Sequence, residues 1–245
     1  MTAEIISIGD EVLIGQIVNT NASYLGQRLT EAGMEVNWVT AVGDDEENLR
    51  QALENAISRA RLVITTGGLG PTHDDITKKV VAQFFNSPLV FRPDILEKIK
   101  ERFQKRGVAM PKINEDQAWV PDKAQIIENR LGSAVGFIFA ERGKYIIVLP
   151  GVPAEMKAMM EETVLPFLQD KARDLFIKQK TLRTTGIFES ALFEKISADL
   201  PKIEKLARVA FLPKPAGVDI RLTAKNKTEK TCLNKLSQAE KKLRQ

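Results

Sequence analysis

Three times in its first 75 residues the chain runs through an apolar, β-branched stretch and stops at a glycine followed by carboxylates. The run at Ile5 to Ile8 ends in Gly9-Asp10-Glu11, and the run before Val42 ends in Gly43-Asp44-Asp45. The run from Leu62 to Thr66 opens into Gly67, Gly68 and Gly70 and then Asp74-Asp75. Helical patterns separate these runs. NTNASYLGQRLTEAG carries cap residues near Asn19 to Asn21 and a stop at Gly33, and DEENLRQALENAISRA and the segment through KKVVAQFF follow. Strands that alternate with helices imply a mostly parallel sheet covered on both faces, the three-layer α/β class. Ligands in such sheets sit beyond the carboxyl ends of the strands, so three separate segments converge on one edge.

The segment LVITTGGLGPTHDDIT, residues 62–77, constrains function most. A strand opening through glycines towards a helix presents backbone N–H groups, which attract phosphate. Paired carboxylates meet a different need, that of a hard cation able to bridge phosphate oxygens. The spacing is neither that of a P-loop nor G-x-G-x-x-G, so the stretch is not one of the standard nucleotide fingerprints. A second strand-to-glycine junction, Pro150-Gly151-Val152-Pro153, precedes the helix AEMKAMMEETVLPFLQ. Its two prolines stiffen the loop so that Gly151 can approach a ligand closely.

After Asp170 the pattern changes to β-α-β-β-α: KQKTLRTTG, a helix FESALFEKISADLP expected to end at Pro201, two strands around a Pro-Gly turn, and a final basic helix. That order suits a small α+β module. Charge divides at the same place. Residues 1–170 hold 18 Lys+Arg against 24 Asp+Glu, a net −6, whereas residues 171–245 hold 18 against 8, a net +10. Two domains are therefore expected, 1–170 and 171–245, with the boundary inside DKARD near residue 171.

Composition excludes several classes. One cysteine, Cys232, rules out an internal disulfide framework, and with a single histidine a zinc site on those ligands is not expected. The N-terminus reads as a strand, with no signal peptide or membrane span expected, which points to the cytoplasm. His73 lies in the glycine-rich loop but in a slot between Pro71-Thr72 and Asp74 read as loop rather than catalytic. Trp38 and Trp119 are read as packing groups. The stripe Phe188, Leu192, Phe193 and Ile196 is read as a packing or dimerisation face.

Four segments stand together: Ile8-Gly9-Asp10-Glu11 with Asn19-Thr20-Asn21; Val42-Gly43-Asp44; Thr66 to Thr72 with Asp74-Asp75-Ile76-Thr77; and Pro150 to Pro153 with Glu155-Met156. This set closely resembles the CinA family of competence/damage-inducible proteins, whose N-terminal domain is similar to the molybdopterin-binding fold of MoaB, MogA and MoeA. Lys180 to Gly186 and Phe211-Leu212-Pro213 resemble the KH-like module that follows it. Many members carry a further C-terminal domain that deamidates nicotinamide mononucleotide. The chain stops inside its last helix, is read as a truncated or short member, and is not expected to be a deamidase.

The resemblance implies a pyrophosphate ligand: metal-dependent cleavage of ADP-ribose, or a related nucleotide diphosphate, to AMP and a sugar phosphate. It implies Asp44 and Asp75 as catalytic residues, and Asp74, Asp75 and Asp44 as holders of a divalent metal, Mg, Mn or Co. Substrate binding falls to Gly9, Asp10, Glu11, Asn21, Thr66, Gly67, Gly68, Leu69, Gly70, Thr77, Pro150, Gly151 and Pro153. It also implies a homo-oligomer, with a dimer favoured. A pterin- or nucleotide-binding module without hydrolysis is the first alternative. A nucleic-acid adaptor is the second, although the second module lacks a GXXG loop, offering Thr184-Thr185-Gly186-Ile187 and Lys214-Pro215-Ala216-Gly217 instead.

Overall fold

The computed structural model describes residues 1–171 and 176–244. They separate into two compact units, Met1–Leu29 with Glu35–Asp170 and Thr30–Met34 with Lys171–Gln245. The boundary expected near residue 171 runs into residues 172–175, which lie outside the described residues.

The first unit is built on eight strands: β1 (Thr2–Ile8), β2 (Glu35–Val42), β3 (Leu62–Thr66), β4 (Leu89–Phe91), β5 (Trp119–Pro121), β6 (Gln125–Ile127), β7 (Gly136–Glu141) and β8 (Lys144–Leu149). Six of them form one sheet in the order β2-β1-β3-β8-β7-β6. β1 pairs in parallel with both β2 and β3, and β3 with β8. β7 pairs antiparallel with β8, to which a two-residue hairpin at Arg142-Gly143 joins it, and β6 pairs antiparallel with β7. β4 and β5 make a separate two-stranded ribbon.

Its helices are α1 (Asp10–Leu13), α2 (Thr20–Glu31), α3 (Glu46–Arg59), α4 (Thr77–Phe84), α5 (Pro93–Lys105), α6 (Pro153–Met159) and α7 (Leu165–Lys171), with one wider turn, Met160–Val164, joining the last two. The cap expected near Asn19 forms, and Asp45 supplies a second. Asn19 Oδ1 accepts the Ala22 amide at 3.0 Å, and Asp45 Oδ1 accepts that of Asn48 at 2.8 Å. Strands β3 and β8 are apolar almost throughout because both faces are covered. On one face Leu49, Leu53, Val80, Val81, Ile95 and Ile99 of α3, α4 and α5 pack with Ile6, Val63, Ile146 and Val148. On the other lies α2, whose Gly26 faces Ile5, while Phe167 of α7 meets Tyr145 of β8 edge to face at 5.5 Å.

One charge sits inside this unit. Glu4 on β1 is fully buried, and its carboxylate accepts Arg59 Nε at 2.8 Å, Arg59 Nη2 at 2.7 Å and the Thr40 hydroxyl at 2.7 Å. The outer side of the Arg59 guanidinium rests on the Trp38 ring, 4.8 Å from its centroid. Trp38 is thus a packing group, as expected. Trp119 instead pairs with Phe91 on the ribbon and stays 43% exposed.

The second unit is a three-stranded antiparallel sheet, β10-β11-β9, made of β9 (Phe176–Arg183), β10 (Arg208–Lys214) and β11 (Gly217–Asn226). Helices α8 (Glu189–Ile196), α9 (Leu200–Glu204) and α10 (Glu229–Leu243) complete it. Leu192, Ile203, Ile220, Leu222, Cys232 and Leu236 make its core. Pro201 does not end a long helix as expected. The helix stops at Ile196, and Pro201 lies in the first turn of α9, where its missing N–H has no intrahelical partner to lose. Of the apolar stripe, Leu192 and Ile196 join the core, while Phe188 is 85% exposed. Among the described residues no helix is long and apolar enough to cross a membrane.

Candidate functional site

The glycine turn after β3 is fixed by contacts that only glycine allows. Gly67 has φ +117°, and a Cβ there would stand 2.1 Å from the Ile8 carbonyl oxygen at the end of β1. Gly68 has φ +64°, with the Thr77 hydroxyl lying where its Cβ would go. That hydroxyl donates to Gly67 O at 2.9 Å, and the Thr77 amide donates to Gly68 O at 3.1 Å. Thr77 is fully buried, so it fastens the turn from behind and neither caps α4 by its side chain nor reaches the ligand side. The amides of Gly68, Leu69 and Gly70 are left without a protein acceptor among the described residues.

Carboxylates surround those amides. The ends of β1 and β2 are clasped reciprocally: the Asp10 amide donates to Asp44 Oδ2 at 3.0 Å, and the Asp44 amide to Asp10 Oδ1 at 3.2 Å. Burial pushes the Asp44 carboxyl above the ordinary aspartate range, the Asp10 amide opposes this, and the charges of Asp10, Glu11 and Asp74 raise it further. Asp75 folds back on its own loop. Its Oδ2 accepts the Thr72 amide at 2.9 Å and the Thr72 hydroxyl at 2.5 Å, and its carboxylate lies against Gly70 Cα. Behind it, burial lowers the Lys78 ammonium, with the charges of Asp116 and Asp75 acting in the other direction.

A cavity of about 440 Å³ gathers these groups, lined by Gly9, Glu11, Asp44, Gly67, Gly68, Leu69, Gly70, Asp74, Asp75, Pro150 and Gly151 from the expected set. Asp10, Asn21, Thr66, Thr77 and Pro153 do not line it. Asp10 is occupied by the clasp. Asn21 Nδ2 donates to Thr66 Oγ1 at 3.0 Å and to Gly151 O at 2.8 Å, and the Thr66 hydroxyl donates to Pro150 O at 2.8 Å. These two residues therefore set the position of the Pro150-Gly151 turn, and with Pro153 they edge a smaller space of about 90 Å³. His73 is outside the cavity as well, its ring 3.0 Å from Asp74 and its side chain 92% exposed.

Sequence reasoning missed Gln117, Ser133, Ala134 and Glu155 as lining residues. Glu155 had a signal, since it stands two residues after Pro153 in a helix first turn aimed at the junction. Gln117 had none, because it arrives on a short 3₁₀ helix, Lys112–Ala118, remote in sequence from any motif.

Five carboxylates, Glu11, Asp44, Asp74, Asp75 and Glu155, line the cavity and no lysine or arginine does. An anionic ligand enters such a space only with a cation. Among the described residues no three His, Cys, Asp or Glu side chains converge as a ligand set. The oxygen donors are of the chemical type that a hard divalent cation takes, and Asp74 and Asp75 are the adjacent pair that could hold one.

A family model described as a probable molybdopterin binding domain matches residues 4–170, and one described as the damage-inducible protein CinA KH domain matches residues 179–245. The solved structure of the protein CinA, of unknown function, from Thermoplasma acidophilum is 38% identical, with a TM-score of 0.60. The match covers 65% of this chain and 94% of that one. A CinA-like protein of Dictyoglomus thermophilum is 44% identical over 94% of the chain and 55% of its own length. A relative from Caldicellulosiruptor saccharolyticus named as a competence-damage inducible protein is 43% identical over the whole chain, which spans 59% of that relative's length.

Proposed function

This chain belongs to the CinA family, with a molybdopterin-binding-type domain followed by a CinA KH domain, and from that premise we propose that its first unit hydrolyses the diphosphate bond of a nucleotide such as ADP-ribose. Three amides without protein acceptors among the described residues, on residues that line one cavity together with five carboxylates, are the observation that carries this reading.

The amides of Gly68, Leu69 and Gly70 hold diphosphate oxygens and stabilise the charge that grows on them as phosphorus is attacked. Asp44, raised by burial and by its acidic neighbours, takes a proton from the attacking water. The bridging P–O bond breaks, the new P–O bond comes from water, and ADP-ribose yields AMP and ribose 5-phosphate. Asp75, with one oxygen anchored by Thr72, and the adjacent Asp74 would hold a divalent cation, which neutralises the diphosphate and polarises phosphorus when bound. The test is incubation of the folded chain with ADP-ribose and Mg²⁺, Mn²⁺ or Co²⁺, with AMP followed by chromatography. Absence of AMP with every metal removes the hydrolytic reading.

A second reading is supported by the description of the matched model, molybdopterin binding. The same amides would then cradle a pterin phosphate without turnover. Calorimetry separates the two: tighter binding of molybdopterin than of ADP-ribose, with no heat of hydrolysis, favours the module. The homodimer and the cytoplasmic setting remain part of this proposal, checked by light scattering and by fractionation.

A further inference from the structure

A second cavity in the first unit, of about 640 Å³, is distinct from the acidic one. It lies along α5, with Ile95, Ile99 and Ile126 among the apolar residues lining it and arginines and lysines around them. Most of these cations are matched. Arg92 pairs with Asp94 at 2.8 Å, Lys98 with Glu128 at 2.6 Å and Arg130 with Glu162 at 3.3 Å.

Arg102 and Arg106 are different. Arg102 is in the last turn of α5 and Arg106 is its C-cap, four residues on; both line this cavity, and among the described residues neither reaches a carboxylate within ion-pair distance. Arg102 is half-buried and donates from Nη2 only to the Asn129 carbonyl, at 2.9 Å. Two like charges at this spacing repel and destabilise the helix unless something negative is held between them. Burial lowers the Arg102 guanidinium, the charge of Arg106 lowers it further, and Glu155 acts against both.

We propose that this cavity binds a phosphorylated small molecule, its phosphate on the Arg102 and Arg106 guanidiniums and its less polar part on Ile95, Ile99 and Ile126. Guanidinium forks match phosphate oxygens two at a time, which a lysine pair would not do. Asn129 gives the site a second consequence. Its carbonyl receives Arg102, while its amide donates at 2.6 Å to Glu155, which lines the acidic cavity; Ser133 lines both cavities. Two sources of the phosphate are thus possible in chemistry: the far end of an extended ligand lying across both cavities, or a separate metabolite. The inference requires binding alone and stands whether or not the acidic cavity hydrolyses anything.

The experiment is calorimetric titration of the whole chain with inorganic phosphate at low ionic strength. The Arg102→Gln/Arg106→Gln variant is expected to lose one site, or at least about tenfold in affinity, the equivalent of a single charge-assisted hydrogen bond. Arg102→Lys is expected to fall between the two, because charge is kept and the fork is lost. Tryptophan-fluorescence melts establish that the variants are folded. Equal affinity and stoichiometry in wild type and the double variant overturns the proposal. A parallel titration of the Asp44→Asn chain with saturating ADP-ribose and Mg²⁺ identifies the source: lost phosphate heat means one ligand spans both cavities, and retained heat means a separate metabolite.

Discussion

Replacing Gly68 by alanine tests whether the turn is held as tightly as its contacts imply. Two costs add there. The first is conformational: φ +64° is left-handed, and an alanine in that region costs about 1 kcal/mol. The second is steric, since the new Cβ would meet the Thr77 hydroxyl at 2.2 Å and Thr77 Cβ at 3.3 Å. Thr77 is fully buried and cannot swing into solvent, so relief requires breaking its 2.9 Å bond to Gly67 O. Overpacking of about 1–3 kcal/mol plus a lost hydrogen bond of about 1 kcal/mol brings the total to roughly 3–5 kcal/mol. Gly107 supplies the control. Its φ is +70°, but nothing lies within 4 Å of its absent Cβ, so Gly107→Ala carries the conformational cost alone. Both tryptophans, Trp38 and Trp119, belong to the first unit, so intrinsic fluorescence follows its melting without interference from the second. At roughly 2–4 °C per kcal/mol, Gly68→Ala is expected to lower the midpoint by about 10 °C and Gly107→Ala by about 3 °C. Adding Thr77→Ala to Gly68→Ala should recover part of the difference, a non-additivity diagnostic of direct contact. Equal melting of the two glycine variants would refute the reasoning.

Four further outcomes follow from the geometry. Arg59→Ala leaves the buried Glu4 carboxylate with only Thr40, and urea unfolding should show a clear loss of stability, lessened by Glu4→Gln in the same chain; an unchanged unfolding midpoint would contradict the pairing. Asp44→Asn should abolish AMP formation yet raise stability at neutral pH, because a neutral amide carries neither the burial cost of the charge nor the repulsion from Asp10, Glu11 and Asp74. Its folded pKa is raised, so the wild-type stability that the group contributes is present below the unfolded pKa and lost as pH rises through the folded one; the gap between variant and wild type must therefore widen from acid to neutral pH. Thr72→Val removes one of the two bonds that orient Asp75 and should lower turnover about tenfold with little change in melting; an unchanged rate would separate Asp75 from the chemistry. Cys232 is fully buried, its Sγ donates to Phe176 O at 3.2 Å and burial raises its pKa, so a thiol reagent should label it only as fast as the second unit opens; immediate labelling of the native chain is the contrary result.

The parallel core was legible because burial on both faces writes a strand as an unbroken apolar run, as in LVITT and YIIVL. The first cap was legible because Asn19 is a short polar side chain placed directly before helical periodicity. The site was legible where backbone does the work: glycines announce amides, and adjacent aspartates announce charge. It was less legible where a polar side chain turns inward. Asn21, Thr66 and Thr77 carry the same chemistry as ligand-binding residues, and only three-dimensional placement shows that they brace turns. Gln117 and Ser133 reach the cavity from segments with no periodic or compositional signature. The split of one helix at Ser197 to Asp199 was hidden because Pro201 serves equally well as a stop or as a start.

Asp10 and Asp44 each receive the other's amide, so neither carboxylate is free to rotate without releasing its neighbour's backbone. Their charge is thereby oriented before any ligand arrives, and association need not freeze two floppy side chains. Such preorganisation comes with a standing electrostatic tension between like groups. A cation that relieves it should rigidify both strand ends at once, detectable as slowed amide exchange at these two positions.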